Sequence, residues 1–181
     1  MIGLKKADIG DAKHILEFYQ NVINSINGTE FNPKWNERYP NLEYIKTNIE
    51  KEELYICTKN REIIACVVLN NRFDPEYECI NWGVNANPNE IIVIHTFAIA
   101  SDLAGKGIGK EIFGQIKMYG QKNNKKTIRV DIIHGNDGAL NVFKRFGFEY
   151  VDTVEMFHPA VGLEKFHLFE YDLEKLKKKK S

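Results

Sequence analysis

Residues 101–113 read SDLAGKGIGKEIF, with Gly105, Gly107 and Gly109 alternating with Lys106, Ile108 and Lys110. Ile108, Ile112, Ile116 and Tyr119 then recur at helical spacing. Glycine lets a backbone take positive φ and approach a ligand closely. The N–H groups that open a helix point outward, and the dipole behind them favours negative charge. A glycine-rich turn running into a helix therefore suits a phosphate. Two common phosphate loops do not fit the spacing. A GxxxxGK[ST] loop ending at Gly109-Lys110 would need glycine where Ala104 stands and a hydroxyl where Glu111 stands. A GxGxxG fingerprint would need glycine at Lys110 or Ile112.

Such a loop must be held by a sheet, and the flanking patterns supply one. Residues 2–5 read as a short strand, after which Asp8 caps a helix with Asp11 in its first turn. Ile15, Phe18, Tyr19, Val22, Ile23 and Ile26 form its apolar stripe, and Asn27-Gly28 ends it. The aromatic segment FNPKWNERYP reads as an ordered loop, and Asn41 caps a second helix. LYICT and IIACVVLN form a hairpin, and YECINWG reads as a third strand. EIIVIHTFAIA is a β-branched apolar run that suits a central strand covered on both faces. The glycine loop and its helix follow, then the strand TIRVDII, a short helix over 137–146 stopped by Gly147, and a terminal antiparallel pair. The fold class is mixed α/β: one domain over residues 1–174 with a six- to seven-stranded sheet and about four helices.

Composition narrows the function classes. The 181 residues carry 25 basic and 25 acidic side chains, so net charge gives no case for nucleic acid. Five lysines lie in the tail 175–181, leaving a mildly acidic body that suits a cationic small substrate. Cys57, Cys66 and Cys79 form no CxxC and no metal-like spacing with histidine, and read as small buried or half-buried residues in a reducing compartment. No metal site is expected. There is no long apolar run for a membrane span and no apolar signal core in MIGLKKADIGD, so a cytoplasmic location is expected.

Residues 104–109, AGKGIG, resemble the [RQ]-x-x-G-x-[GA] pyrophosphate loop of the GNAT superfamily of acyl-CoA-dependent N-acyltransferases. Asn136, Ala139, Phe143, Gly147 and Phe148 match the second half of that family's pattern, N-x-x-A-x-x-x-Y-x-x-x-G-F, except that Phe143 stands for the tyrosine. The resemblance implies a GNAT-like fold in which the fourth and fifth strands splay apart and acetyl-CoA lies in the gap. It implies that pantetheine pairs with backbone along Phe97, Ala98 and Ile99, and that the N–H groups of Gly105, Lys106, Gly107, Ile108, Gly109 and Lys110 take the pyrophosphate. Asn136 would contact the pantetheine arm.

Two departures bear on chemistry. Ala104 replaces the usual Arg or Gln, which keeps the backbone contact and implies weaker cofactor binding. Phe143 replaces the tyrosine that protonates the departing thiolate in many members and cannot donate a proton. The implied activity is N-acetyl transfer to a primary amine, small molecule or peptide, by direct attack in a ternary complex; the alternative is an acyl-CoA-binding sensor with little catalysis. An ammonium acceptor must lose a proton first, and His95 and His134, near the expected splay, are the candidate bases. Trp35, Tyr39 and Trp82 are candidate walls of the acceptor site. A homodimer is expected from the resemblance.

Overall fold

The computed structural model describes residues 3–175. The lysine-rich tail from residue 176 onward lies outside them, while Lys175 pairs with Glu149 at 2.7 Å. Among the described residues, seven strands form one mixed sheet: β1 (Leu4–Lys6), β2 (Leu54–Lys59), β3 (Glu62–Asn70), β4 (Ile91–Ile99), β5 (Thr127–Ile133), β6 (Glu149–His158) and β7 (Gly162–Asp172). Their spatial order is β1-β2-β3-β4-β5-β7-β6. Four α-helices cover it: α1 (Ala12–Ile26), α2 (Leu42–Glu50), α3 (Ile108–Lys122) and α4 (Asp137–Arg145).

Side-chain period decides which layer each helix joins. Ile112, Phe113 and Ile116 of α3 and Phe143 of α4 pack on Ile92, Ile94, Ile128, Val130 and Ile132. Phe113 is the hub of this layer, with Phe146 stacked on it at 5.0 Å and Phe148 and Tyr171 at 5.2 and 5.3 Å. Burying a ring of this size contributes about 1.5–3 kcal/mol. On the other face, Ile15, Tyr19 and Val22 of α1 and Ile45 and Ile49 of α2 pack on Leu54, Ile56, Cys66, Val68 and Ala98. The rest of that face, over β5, β7 and β6, is covered by the segment 73–82, whose Tyr77 joins Ile133, Met156, Phe166 and Leu168.

That segment is not the strand expected from YECINWG. Residues Pro75–Cys79 form a turn of 3-10 helix. Proline at its start lacks a ladder donor. Tyr77 is fully buried, its ring stacked on Phe73 at 5.4 Å, and Trp82 donates its indole N–H to the Tyr77 carbonyl at 2.9 Å. The first helix also begins differently, as a 3-10 turn Ile9–Asp11 closed by Asp8 N–H donating to Asp11 Oδ2, before α1 proper. Cys57 and Cys66 are buried, whereas Cys79 is exposed, against expectation.

The strands that matter most are β4 and β5. They pair in parallel only at Ile91 with Thr127, Ile92 with Ile128 and Val93 with Arg129. Beyond that they diverge, while β4 stays paired to β3 as far as Ile99 with Ala65, and β5 stays paired to β7 as far as Ile133 with Phe166. A wedge-shaped gap therefore opens through the middle of the sheet.

Candidate active site

The wedge has a local cause. Cys66 faces Ala98 but Val68 faces His95, so Thr96 and Phe97 together oppose Val67. This is a β-bulge, which bends a strand and breaks its pairing. Thr96 sits at φ 45°, an unfavourable region for a β-branched residue. Two tyrosines hold it there. Tyr19 donates its hydroxyl to the Thr96 carbonyl at 2.8 Å, and the Tyr44 hydroxyl lies 3.3 Å from Thr96 Oγ1. Tyr19 is buried and Tyr44 half-buried, and desolvation pushes both pKa values up, so the phenols remain protonated.

A cleft of about 390 Å³ occupies the wedge and passes from one face of the sheet to the other. On the α3/α4 side it is lined by Phe97, Ile132, Ala139 and Phe143. Phe97 and Phe143 meet edge to face at 6.4 Å. On the opposite side lie Trp35, Tyr39, Phe73, His95, Asp131 and His158.

The glycine loop stands at the end of β4. Gly105 and Gly107 take φ 74° and 81°, and a Cβ at either would meet open space. The first backbone bond closing α3 is Glu111 N–H to the Gly107 carbonyl at 3.1 Å, so the N–H groups of Ile108, Gly109 and Lys110 have no partner within the helix. These donors, the left-handed turns and the adjoining wedge fit a pyrophosphate with pantetheine behind it. Gly109 has a different role: a Cβ there would press on Ile99 and Phe146. Ala104 puts no side-chain donor at the position of the family's Arg or Gln. Ala98 is buried toward α1, so of the three β4 residues it is Phe97 that lines the cleft and Ile99 that seats α3.

Asn136 joins the two sides. Its Oδ1 accepts from Asn32 N–H at 3.0 Å and, at 3.5 Å, from Ala139 N–H as the cap of α4. Glu30 carbonyl accepts from Gly138 N–H at 2.8 Å. The loop that carries Trp35 and Tyr39 is thereby strapped to the start of α4.

His95 reaches the cleft, and its tautomer is fixed. Its Nε2 lies 3.0 Å from Asn70 Oδ1 and 3.2 Å from the Arg72 carbonyl, both acceptors, so Nε2 carries the proton. Nδ1 is left with its lone pair. Burial pushes the His95 pKa below the ordinary histidine value, with the Asp131 carboxylate opposing that shift in part. The ring is neutral at pH 7, as a base must be.

His134 does not share this site. Its ring is exposed, and Nδ1 lies 3.1 Å from His167 Nε2. The turn at Gly135, φ 88°, separates it from Asn136. Trp82 is also elsewhere: its ring lies flat against the Arg129 guanidinium at 4.0 Å, within the cover over β5, and the buried Arg129 pairs with Glu170 at 3.0 Å. Trp35 and Tyr39 do line the cleft, Trp35 edge-on to Tyr19 and Tyr39 edge-on to both Tyr44 and His158. Asp131, Thr96, Tyr44 and His158 were not singled out by sequence. For Asp131 a signal existed: a carboxylate inside the apolar run TIRVDII.

Comparison with known proteins agrees with this geometry. The model of the acetyltransferase (GNAT) family matches residues 21–148. An uncharacterized N-acetyltransferase of Methanocaldococcus jannaschii is 25% identical over 114 residues, 62% of this chain and 46% of that protein. A probable N-acetyltransferase of Drosophila melanogaster is 28% identical over 92 residues, half of each chain. The chain spans about half the length of the curated relatives it matches. Among solved structures, a GNAT-family acetyltransferase from Streptococcus agalactiae superposes with a TM-score of 0.76 at 15% identity, covering 94% of this chain and 95% of that one. A putative acetyltransferase from Staphylococcus aureus Mu50 gives 0.69 at 22%, covering 94% and 98%. A putative acetyltransferase from Salmonella typhimurium, solved with acetyl-CoA, gives 0.65 at 14%, covering 95% and 94%. These likenesses show the fold.

Proposed function

The chain belongs to the GNAT acetyltransferase family, and we propose on that footing that it transfers an acetyl group from acetyl-CoA to a primary amine by direct attack in a ternary complex. The observation that carries this reading is the continuous wedge between β4 and β5. On the α3/α4 side β4 runs out into a glycine loop with free helix-opening N–H groups, and on the other side the cleft is lined by a neutral, oriented histidine.

Acetyl-CoA, when bound, supplies an activated thioester carbonyl. Gly105 to Lys110 would hold its pyrophosphate, and the unpaired edge of β4 beyond Val93 would align its arm. His95 Nδ1 would take the proton from the acceptor ammonium. The amine lone pair then forms the new C–N bond as the C–S bond breaks, and the nitrogen gives up its second proton to the departing thiolate or to water. Backbone N–H groups at the Thr96–Phe97 bulge would stabilise charge developing on the carbonyl oxygen. The chain offers no phenol beside Phe143 to protonate the leaving thiolate. A thiol pKa of about 8.5 makes that thiolate a tolerable leaving group at neutral pH. None of the three cysteines lines the cleft, which supports direct transfer over an acyl-cysteine route.

The test is calorimetric titration with acetyl-CoA of the wild type and of Gly107→Glu. The added side chain enters open space at φ 81°, so the fold should survive at a cost of about 1–2 kcal/mol. It would place a negative charge where the phosphates belong. Micromolar binding that disappears in a folded variant supports the reading, and CoA release on adding an amine separates an enzyme from a sensor. No binding by the wild type overturns both.

A further inference from the structure

We propose that the acceptor is a positively charged amine without a neighbouring carboxylate, held by the Asp131 carboxylate across the wedge from His95. This rests on the acetyl-transfer reading and specifies its substrate.

The register places these two residues face to face. Val93 pairs with Arg129, and two residues further on each strand stand His95 and Asp131. Ile92 and Ile94, like Ile128, Val130 and Ile132, pack into the α3/α4 layer. His95 and Asp131 therefore belong to the opposite face of the sheet. Both line the cleft on the side away from the glycine loop.

Asp131 is held but not neutralised. The buried Tyr77 hydroxyl donates to its Oδ2 at 2.8 Å. The 3-10 turn of residues 75–79 carries Tyr77 to the carboxylate. No ion pair to Asp131 occurs among the described residues. The neighbouring strand residue Arg129 has the opposite fate, being sealed against Glu170 and Trp82.

The charges around the cleft leave an unbalanced negative site. Its charged lining residues are Arg72, Asp74 and Asp131. The Arg72 guanidinium is turned away, bonded to Glu53 and, at 3.1 Å, to Asn48 Oδ1. His95 and His158 are kept neutral, since burial lowers both pKa values. Asp74 adds a second carboxylate, pushed up by burial and by the nearby Asp131. A free amino acid would bring its own carboxylate beside Asp131 and be repelled. An alkylamine or a peptide-like amine would bring only the cation. Trp35, Tyr39 and Phe73 give that cation aromatic faces and its body an apolar wall.

The experiment compares amides with free acids. Leucine, phenylalanine and alanine are each offered as the free acid and as the amide, at saturating acetyl-CoA. The wild type should acetylate at least one amide with kcat/KM about 30-fold or more above its acid. Asp131→Asn keeps an acceptor oxygen for Tyr77 and removes the charge. It should raise KM for the favoured amide about tenfold or more, leave the acetyl-CoA Kd unchanged, and shrink the amide-to-acid ratio to within about threefold. Asp74→Asn, on an exposed turn, should move the ratio in the same direction by less. Equal use of acid and amide overturns the proposal. So does a collapse of kcat with unchanged KM in Asp131→Asn, which would make Asp131 the base. So does failure to acetylate any of the six compounds while acetyl-CoA still binds. Absence of acetyl-CoA binding would instead overturn the acetyl-transfer reading, and this one with it.

Discussion

The two mouths of the wedge are built from different materials. On the α3/α4 side the chemistry is main chain: Gly105, Gly107 and the opening N–H groups of α3, all within one short run of sequence. On the other side it is side chain: Trp35 and Tyr39 from the loop before α2, His95 from β4, Asp131 from β5 and His158 from β6. A main-chain site needs particular residue types only where a Cβ would intrude or φ must be positive. It therefore leaves a compact mark in sequence. A side-chain site needs only that distant residues converge, so its mark is scattered: His95, Trp35 and Tyr39 can be picked out singly, but not the set they form with Asp131 and His158.

Substitutions can break or sharpen that contrast. The largest effect should come from His95→Gln. Loss of the base should lower kcat by about 10²–10⁴-fold while acetyl-CoA binds with unchanged Kd. In the wild type, kcat/KM should fall on the acid side, with its midpoint below the ordinary histidine pKa of about 6.5, because burial disfavours the imidazolium. That limb should be absent from the variant's pH profile. Next is Ala104→Arg, which adds a charged donor to a main-chain cradle. Calorimetry should show acetyl-CoA binding about tenfold tighter, with the amide-to-acid preference unmoved.

Phe143→Tyr should change kcat by no more than about threefold in steady-state assays, since the thiolate leaves readily without a proton. A larger gain would mean that proton donation limits the reaction. The smallest effect concerns the scaffold on the α3/α4 face, where His167 lies opposite Ile132. Burial, helped by His134, lowers the His167 pKa. An unfolded histidine then binds a proton at a pH where the folded one does not, so stability should decline as pH falls below about 6.5. Thermal melts at pH 7 and pH 5 should show a smaller acid shift for His167→Gln than for the wild type.

The same contrast explains what could be read from sequence. The hairpin of β2 and β3, the central strand β4, α3 and the terminal pair follow from periods of two and 3.6 and from glycine punctuation. The segment around Tyr77 misled because aromatic and β-branched residues favour strands, whereas here Pro75 opens a 3-10 turn and Tyr77 is buried against distant residues and bonded to Asp131, 54 residues away. His134 misled for a related reason. A position at the end of β5 seemed to adjoin the splay, but the turn at Gly135 leaves its ring outside. Trp82 is an aromatic loop residue like Trp35, and only the buried Arg129–Glu170 pair distinguishes their roles.

The bulge at Thr96 has a consequence for how this strand can change. Residues 92, 94, 97 and 99 of β4 belong to one layer, so the odd–even alternation reverses at a single point. The strand is two segments of opposite parity spliced by one extra residue. Deleting Thr96 would restore strict alternation and add no void to either half. His95 and Phe97 would keep their opposite faces, so what the deletion would remove is the φ 45° kink and the break in pairing that opens the wedge. A single insertion or deletion elsewhere in β4 would swap the layers of everything on one side of the cut, whereas Thr96 is the residue whose removal keeps both halves on their faces and closes the site.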